Sequence, residues 1–220
     1  MKWFYQAVIG LIFSMVISIS CFAFQPAKSA DESVRAGVQA VLSIVRKYSG
    51  NEEESARQQY LNEVAEVLEP VIGYPVIARR VMGEAYNSAT TEQKIRFLET
   101  FKRSMVNTYA GGIYAFGAYE VNVLPSQDDK KDTVKNTRVY MEVVSPEGPK
   151  YPLVQSVYYS QESEDWKMQN AIFNGINLGV TFRTQFEQIY KQTNGDLDKA
   201  IIEWERITEE SYQSSNFRDL

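Results

Sequence analysis

The sequence predicts an α+β fold in which helices precede and follow a single antiparallel sheet. Apolar residues recur at helical spacing in residues 31–118 and again in 179–210, but between these segments they alternate with polar residues. Short connections rich in turn-forming and charged residues, such as SQDDKKD and SPEGPK, separate the alternating segments. Four strands joined by such loops form an antiparallel meander with one apolar face, and the flanking helices make the architecture α+β.

Residues 1–30 have the layout of a secretory signal peptide. An apolar run ends at Phe24, and small residues follow it. We expect cleavage after Ser29 or Ala30, with a cut after Ala23 as the alternative. The apolar run is also long enough to remain as an uncleaved membrane anchor.

The mature chain is acidic and contains neither cysteine nor histidine. Its 21 basic and 28 acidic residues give a net charge of −7, because two of the 23 basic residues lie in the signal peptide. An acidic surface disfavours binding to nucleic acid or to anionic lipid surfaces. The remaining length suits one domain, which we divide into a helical part, a sheet, C-terminal helices and a flexible tail: residues 31–118, 119–176, 179–210 and 213–220, with the domain ending at 212.

The missing residue types exclude several kinds of chemistry. Without histidine or cysteine there is no Ser–His or Cys–His nucleophile and almost no zinc or copper site. A pair of carboxylates could still hydrolyse glycosides, but most acidic residues lie in turns or on polar helix faces. We therefore expect no catalytic residue, no metal site and no cofactor.

Three helices precede the longest one. Residues 31–45 carry an apolar stripe formed by Val34, Val38, Val41, Leu42 and Val45. After a polar break at 49–55, a second amphipathic helix covers residues 55–68. A short helix with the sequence VIARRVM, which contains Val76 and Val81, ends at Gly83, a residue typical of helix C-caps.

The longest helix begins at Thr90 or Thr91, where Gln93 suits a capping box. Its apolar stripe recurs every four residues, at Phe97, Phe101, Met105 and Tyr109. Gly111 and Gly112 follow, although a glycine costs a helix about 1 kcal/mol relative to alanine. Such glycines serve either close approach to another element or an opening beside a cavity.

The strands each present an apolar face by alternation. Gln155 interrupts the third strand and Asn170 interrupts the fourth, while Glu120 and Glu142 lie on the opposite face. The inward residues are Val121, Val123, Val139, Met141, Val143, Leu153, Val157, Met168 and Ile172. Together with the helical stripe they form either an ordinary core or the wall of an apolar pocket.

Three segments in order resemble the MlaC family of periplasmic phospholipid-binding proteins, also called toluene-tolerance proteins. They are VMGEAYNSATTEQKIRFLETFKRSMVNTYA, YEVNVLP and DWKMQNAIFNGINLGVTFRTQF, and the resemblance extends over about residues 34–205. Two positions depart from the family pattern, because Gly73 stands where an Asp is usual and Tyr86 replaces a Trp.

The resemblance implies an NTF2-like four-stranded antiparallel sheet around a long helix, with a helical subdomain and an apolar lipid cavity. It also implies a soluble periplasmic carrier, monomeric and without bound nucleic acid, that shuttles phospholipid and so maintains outer-membrane lipid asymmetry. Its implied partners are an outer-membrane lipoprotein complex and an inner-membrane ABC transporter with an anchored substrate-binding subunit. The alternatives are an NTF2-fold enzyme and a binder of another hydrophobic small molecule.

On this fold, the inward apolar residues become the expected lipid-binding residues. They are Val76, Val81, Phe97, Phe101, Met105, Tyr109, Gly112, Val139, Met141, Val143, Leu153, Val157, Met168 and Ile172.

Overall fold

A computed structural model describes residues 28–51, 53–115, 119–126 and 132–214. The side chains of residues 54, 108, 109, 111–115 and 211–214 lie outside that description. The predicted signal peptide therefore falls almost entirely outside the described chain. Seven helices and five strands are described, in the order α1–α5, β1–β5, α6 and α7. The predicted mixture of helices with one antiparallel sheet is confirmed.

The predicted helices begin and end close to their expected limits, whereas the short α4 was not predicted. They are α1 Ala30–Tyr48, α2 Glu54–Val71, α3 Tyr74–Met82, α4 Ala85–Ser88, α5 Thr91–Ala115, α6 Leu178–Gln192 and α7 Leu197–Ser214. The predicted capping box of α5 is present, because the Thr90 hydroxyl accepts from the Gln93 backbone N–H while the Gln93 side chain accepts from the Thr90 N–H. Gly83 caps α3 at a φ of 56°, a conformation that glycine adopts without strain.

Residues just before α1 attach this helix to the sheet. Ser29 and Glu32 form a reciprocal capping box at its first turn. The Trp166 indole N–H donates to the Lys28 carbonyl oxygen at 2.9 Å, and the Ser33 hydroxyl donates to Asp165 at 2.6 Å. The start of α1 is thus fixed to the strand that carries Trp166.

The sheet is an antiparallel meander with the spatial order β1-β2-β3-β4-β5. Its strands are β1 Glu120–Val123, β2 Thr137–Val144, β3 Lys150–Ser160, β4 Asp165–Phe173 and β5 Ile176–Asn177. The first four strands were predicted, whereas the short β5 was not. It follows β4 through a two-residue turn in which Asn174 and Gly175 both have positive φ, as tight hairpins require.

A β-bulge in β4 changes which of its side chains face α1. Asn170 pairs with Ser156 and Met168 pairs with Val157, so Gln169 has no partner on β3. The extra residue reverses the alternation, and Ala171 and Phe173 then share a face with Met168. The prediction that Ile172 shares this face is wrong, because Ile172 pairs with Val154 on the other side.

The longest helix and the sheet belong to different layers. The helix that lies over the apolar face of the sheet is α1, which contacts β1, β2 and β4. Helix α5 instead packs mainly against α7, with α2 and α3 beside it. Tyr60 of α2 connects α2 to α5, since its buried hydroxyl donates to the Ala110 carbonyl oxygen at 2.6 Å. Within the described chain, no helix is long and apolar enough to cross a membrane.

Candidate functional site

An apolar cavity of about 380 Å³ lies between α1 and the inner face of the sheet. Its wall is completed by the C-terminal end of α2, the first residue of α3, part of α5 and the start of α6. This volume falls within the usual range of small-molecule pockets. We call this space the α1–sheet cavity.

Helix α1 supplies one wall through the stripe that its sequence pattern predicts. Val34, Val38, Val41 and Leu42 all line the cavity, as does Gly37 between them. A β-carbon added at Gly37 would lie 3.4 Å from a methyl group of Val71, so this glycine brings α1 close to the end of α2. The two helices therefore close the cavity along one side.

The sheet supplies the opposite wall. Its lining residues come from all of the first four strands and lie on one face: Val121, Val143, Leu153, Gln155, Val157, Trp166, Met168 and Phe173. At one end of the sheet, the buried side chains of Val123, Val139 and Met141 pack beneath Ala30 and Val34. The cavity is consequently filled by side chains at the end where α1 begins.

No Asp, Glu, Lys or Arg lines this cavity in the described chain. Asp165 accepts hydrogen bonds from Ser33 and Trp166, which line the cavity, but Asp165 itself is not part of the lining. Burial is the largest single influence on the pKa of Asp165 and raises it. Hydrogen bonds from Ser33 and the Trp166 backbone N–H, together with the charge of Lys28, lower this pKa by more in total, so the net shift is downward. Because burying an unpaired charge is costly, the wall favours an uncharged, apolar occupant.

Among the described lining residues, the ionisable group is the phenol of Tyr74. Its side chain is buried, and burial followed by the negative charge of Glu69 raises the pKa of its hydroxyl well above the ordinary value. Tyr74 is therefore neutral at physiological pH. Lys102 lies over its ring, with the ammonium 5.3 Å from the ring centroid.

Five of the predicted lipid-binding residues come together in the α1–sheet cavity. They are Met105, Val143, Leu153, Val157 and Met168. They come from α5 and from three different strands. Met105 is the predicted residue of α5 that lines the cavity together with residues of the sheet.

Six other predicted residues lie outside the lining of this cavity. Val139 and Met141 are buried in the packed end of the sheet, and Val81 is buried beneath α6. Val76 is half-buried on α3. Phe97 and Phe101 have no exposed surface and pack against Phe182, Phe186 and Trp204.

Three predicted residues remain. Ile172 faces away from the cavity because of the β-bulge. Tyr109 and Gly112 lie on α5, but their side chains fall outside the described part of the structure. The helix continues through both glycines to Ala115.

Sequence reasoning missed most of the helical wall. Leu68, Val71 and Ile72 line the cavity where α2 ends, and Leu178 does so where α6 begins. The α1 stripe was visible in the sequence, but it gave no sign that α1, rather than α5, covers the sheet. On β4 the alternation correctly placed Met168 but selected Ile172 instead of Ala171 and Phe173, because Gln169 adds one residue to the strand.

A second cavity, of about 340 Å³, lies between α5, α6 and α7. Its apolar lining includes Phe101, Phe182 and Trp204, and three glutamines of α6 also line it: Gln185, Gln188 and Gln192. Met105 lines both cavities. Across the described residues, neither cavity has a cluster of acidic side chains suited to a metal ion.

Comparisons with known proteins agree with this architecture. The model of the MlaC protein family matches residues 35–206. The toluene tolerance protein ttg2D of Pseudomonas putida is 36% identical over 141 residues, which are 63% of this chain and 62% of that protein. The chain thus spans about three fifths of the length of this relative.

A solved structure is similar in fold. It is the phospholipid-binding protein from Ralstonia solanacearum, determined in complex with a phospholipid. The TM-score is 0.69 with 21% sequence identity, and the match covers 85% of this chain and 98% of that one.

Proposed function

Because this chain belongs to the MlaC protein family, we propose that it is a phospholipid carrier whose α1–sheet cavity holds the alkyl chains of the lipid. The observation that carries the proposal is a large cavity whose wall contains no charged side chain among the described residues. Each CH₂ group moved from water into such a space contributes about 0.8 kcal/mol. A phospholipid could therefore bind through its chains and leave its headgroup in water.

In this proposal, the lining residues contact the alkyl chains of the lipid and not its headgroup. The aliphatic residues of α1 and the sheet contact the chains, together with Met105 and Met168. The described part of the wall has no cationic side chain to recognise a phosphate, so we expect several headgroup classes to bind. We therefore propose a carrier rather than an enzyme.

We also propose that the carrier works in the periplasm. It would receive phospholipid from one membrane and release it at the other, its partners being an outer-membrane lipoprotein complex and an inner-membrane ABC transporter with an anchored substrate-binding subunit. The signal-peptide pattern of residues 1–30 supports export. A negative net charge supports docking to proteins rather than adhesion to anionic lipid.

Native purification followed by mass spectrometry tests the binding step. Protein exported by a Gram-negative host should carry about one phospholipid per chain, with mixed headgroups. After removal of lipid, the protein should take up phospholipid again from vesicles. Protein that is lipid-free after gentle purification and cannot take up phospholipid would contradict the proposal, and a bound isoprenoid or hopanoid would indicate a different hydrophobic ligand.

Transfer between vesicles tests the transport step. Lipid-loaded protein should deliver labelled phospholipid to vesicles that contain the ABC transporter complex and much more slowly to protein-free vesicles of the same composition. Equal delivery to both would mean that docking to this partner is not part of the mechanism.

A further inference from the structure

One polar side chain in the α1–sheet cavity has no structural role in the described protein. Gln155 lies on β3, the middle strand of the sheet, between Leu153 and Val157 on the same face. Its neighbours across the sheet are Val139 on β2 and Ala171 on β4, neither of which offers a polar side chain.

Within the described chain, no hydrogen bond of the Gln155 side chain is found. It is partly exposed, and because its face of β3 looks toward α1, that exposure is to the cavity. The next inward residue, Val157, also lines the cavity and is only 1% exposed. The amide therefore lies within the wall, with apolar lining residues on both sides of it along β3.

The other polar side chains of the wall are used by the protein or are more deeply enclosed. Ser33 donates to Asp165, and Trp166 donates to the Lys28 carbonyl oxygen. Tyr74 is only 2% exposed, so its hydroxyl has little contact with the cavity. An unpaired amide beside an apolar space is unfavourable unless an occupant pairs with it.

We infer that Gln155 is a specificity-determining residue that donates a hydrogen bond from its Nε2 to a carbonyl oxygen at the head of a bound alkyl chain. This inference rests on the proposed lipid-binding function. Carbonyl oxygens of this kind occur in the esters of a phospholipid and in a free fatty acid. The absence of a cationic side chain from the described wall favours the neutral ester over a carboxylate.

The test compares three ligands on the full mature protein after removal of endogenous lipid. They are a diester phosphatidylglycerol, the diether phosphatidylglycerol with the same chains, and the matching free fatty acid. A neutral hydrogen bond predicts that the diester binds about two- to tenfold more tightly than the diether, which lacks the carbonyl oxygens. The fatty acid should bind more weakly than the diester at neutral pH.

Gln155→Met tests the assignment to this residue, since methionine keeps the length of the side chain and removes the amide. We expect the variant to bind diester and diether equally and its lipid-free form to melt at the same or a higher temperature. Gln39→Met is the matched control, because Gln39 is exposed on α1 and lines neither cavity. Tyr74→Phe should also keep the wild-type preference.

The outcomes separate this inference from the proposed function. If the wild type binds neither phospholipid, the carrier function itself fails. If it binds diester and diether equally, or if Gln155→Met keeps the preference, the role of Gln155 is wrong. Loss of the preference in Tyr74→Phe would assign the contact to Tyr74 instead, and tighter binding of the fatty acid would overturn the ester assignment.

Discussion

Two apolar regions of this molecule differ in the side chains that build them and in where they leave space. Between α5, α6 and α7, the rings of Phe97, Phe101, Phe186 and Trp204 contact one another, and the second cavity lies at one side of this ring cluster, beside Phe101 and Trp204. The centroids of Phe97 and Phe186 are only 4.7 Å apart. The region between α1 and the sheet instead encloses the α1–sheet cavity, although its residues are equally apolar.

The two regions differ because they are built from different kinds of side chain. Aromatic rings fill the space between helices because they meet edge to face as well as stacked. Between α1 and the sheet, the mainly aliphatic side chains of the two elements enclose the α1–sheet cavity. We therefore expect the ring cluster to contribute more to stability than the residues that border this cavity.

The largest expected difference between the two regions is in the free energy of unfolding that a truncated side chain costs. Phe97→Ala should lower the free energy of unfolding by about 3–5 kcal/mol, because it leaves a hole in a filled core. Leu153→Ala should cost only about 1 kcal/mol, since its side chain already borders empty space. Urea denaturation of the lipid-free variants measures both values. Equal losses would mean that the cavity is closed in solution.

An intermediate effect is expected on the affinity for phospholipid. Leu153→Trp should weaken phospholipid binding by about 1–3 kcal/mol, because the larger ring occupies the space of an alkyl chain. Val154→Trp is the matched control, as Val154 is the next residue and faces the other side of the sheet. Equilibrium binding to a fluorescent phospholipid compares them. If the Val154 variant loses binding as strongly as the Leu153 variant, the assignment of the inner face is wrong.

The smallest expected effect concerns the attachment of α1 to β4 at Asp165. The pKa of Asp165 in the folded protein lies below its ordinary value of 3.8, so the ionised carboxylate stabilises the folded state at neutral pH. This contribution should disappear as the pH falls through the lowered pKa. Asp165→Asn should therefore reduce the melting temperature slightly at pH 7 and leave it unchanged near pH 2. A loss of the same size at both pH values would show that the charge has no part in it.

Local features of the fold could be predicted from the sequence. The capping box at Thr90 and the C-cap at Gly83 depend on residues within one helical turn, and both are present. The inward positions Val139, Met141 and Val143 also follow from simple alternation, because β2 is regular and pairs with β3 without a break.

Features that depend on distant residues could not be predicted. The bulge at Gln169 is stabilised by Arg80 of α3. The guanidinium of Arg80 donates a hydrogen bond of 2.7 Å to the side-chain oxygen of Gln169. Likewise, Phe101 and Met105 belong to one helical stripe, but only Met105 reaches the α1–sheet cavity. A stripe identifies a buried face, and the packing partner decides whether that face borders a core or a cavity.

The capping box at Ser29 has a consequence for the electric charge at the end of the mature chain. A new amino terminus at Ala30 or Asp31 would place an ammonium on the first turn of α1, where unpaired N–H groups already carry partial positive charge. Its pKa of about 8 keeps it charged at neutral pH. A terminus at Phe24 instead leaves five residues ahead of Ser29. Cleavage after Ser29 or Ala30 would therefore remove this capping box and the Trp166–Lys28 hydrogen bond, whereas cleavage after Ala23 would keep both, and the intact mass of the exported chain distinguishes these termini.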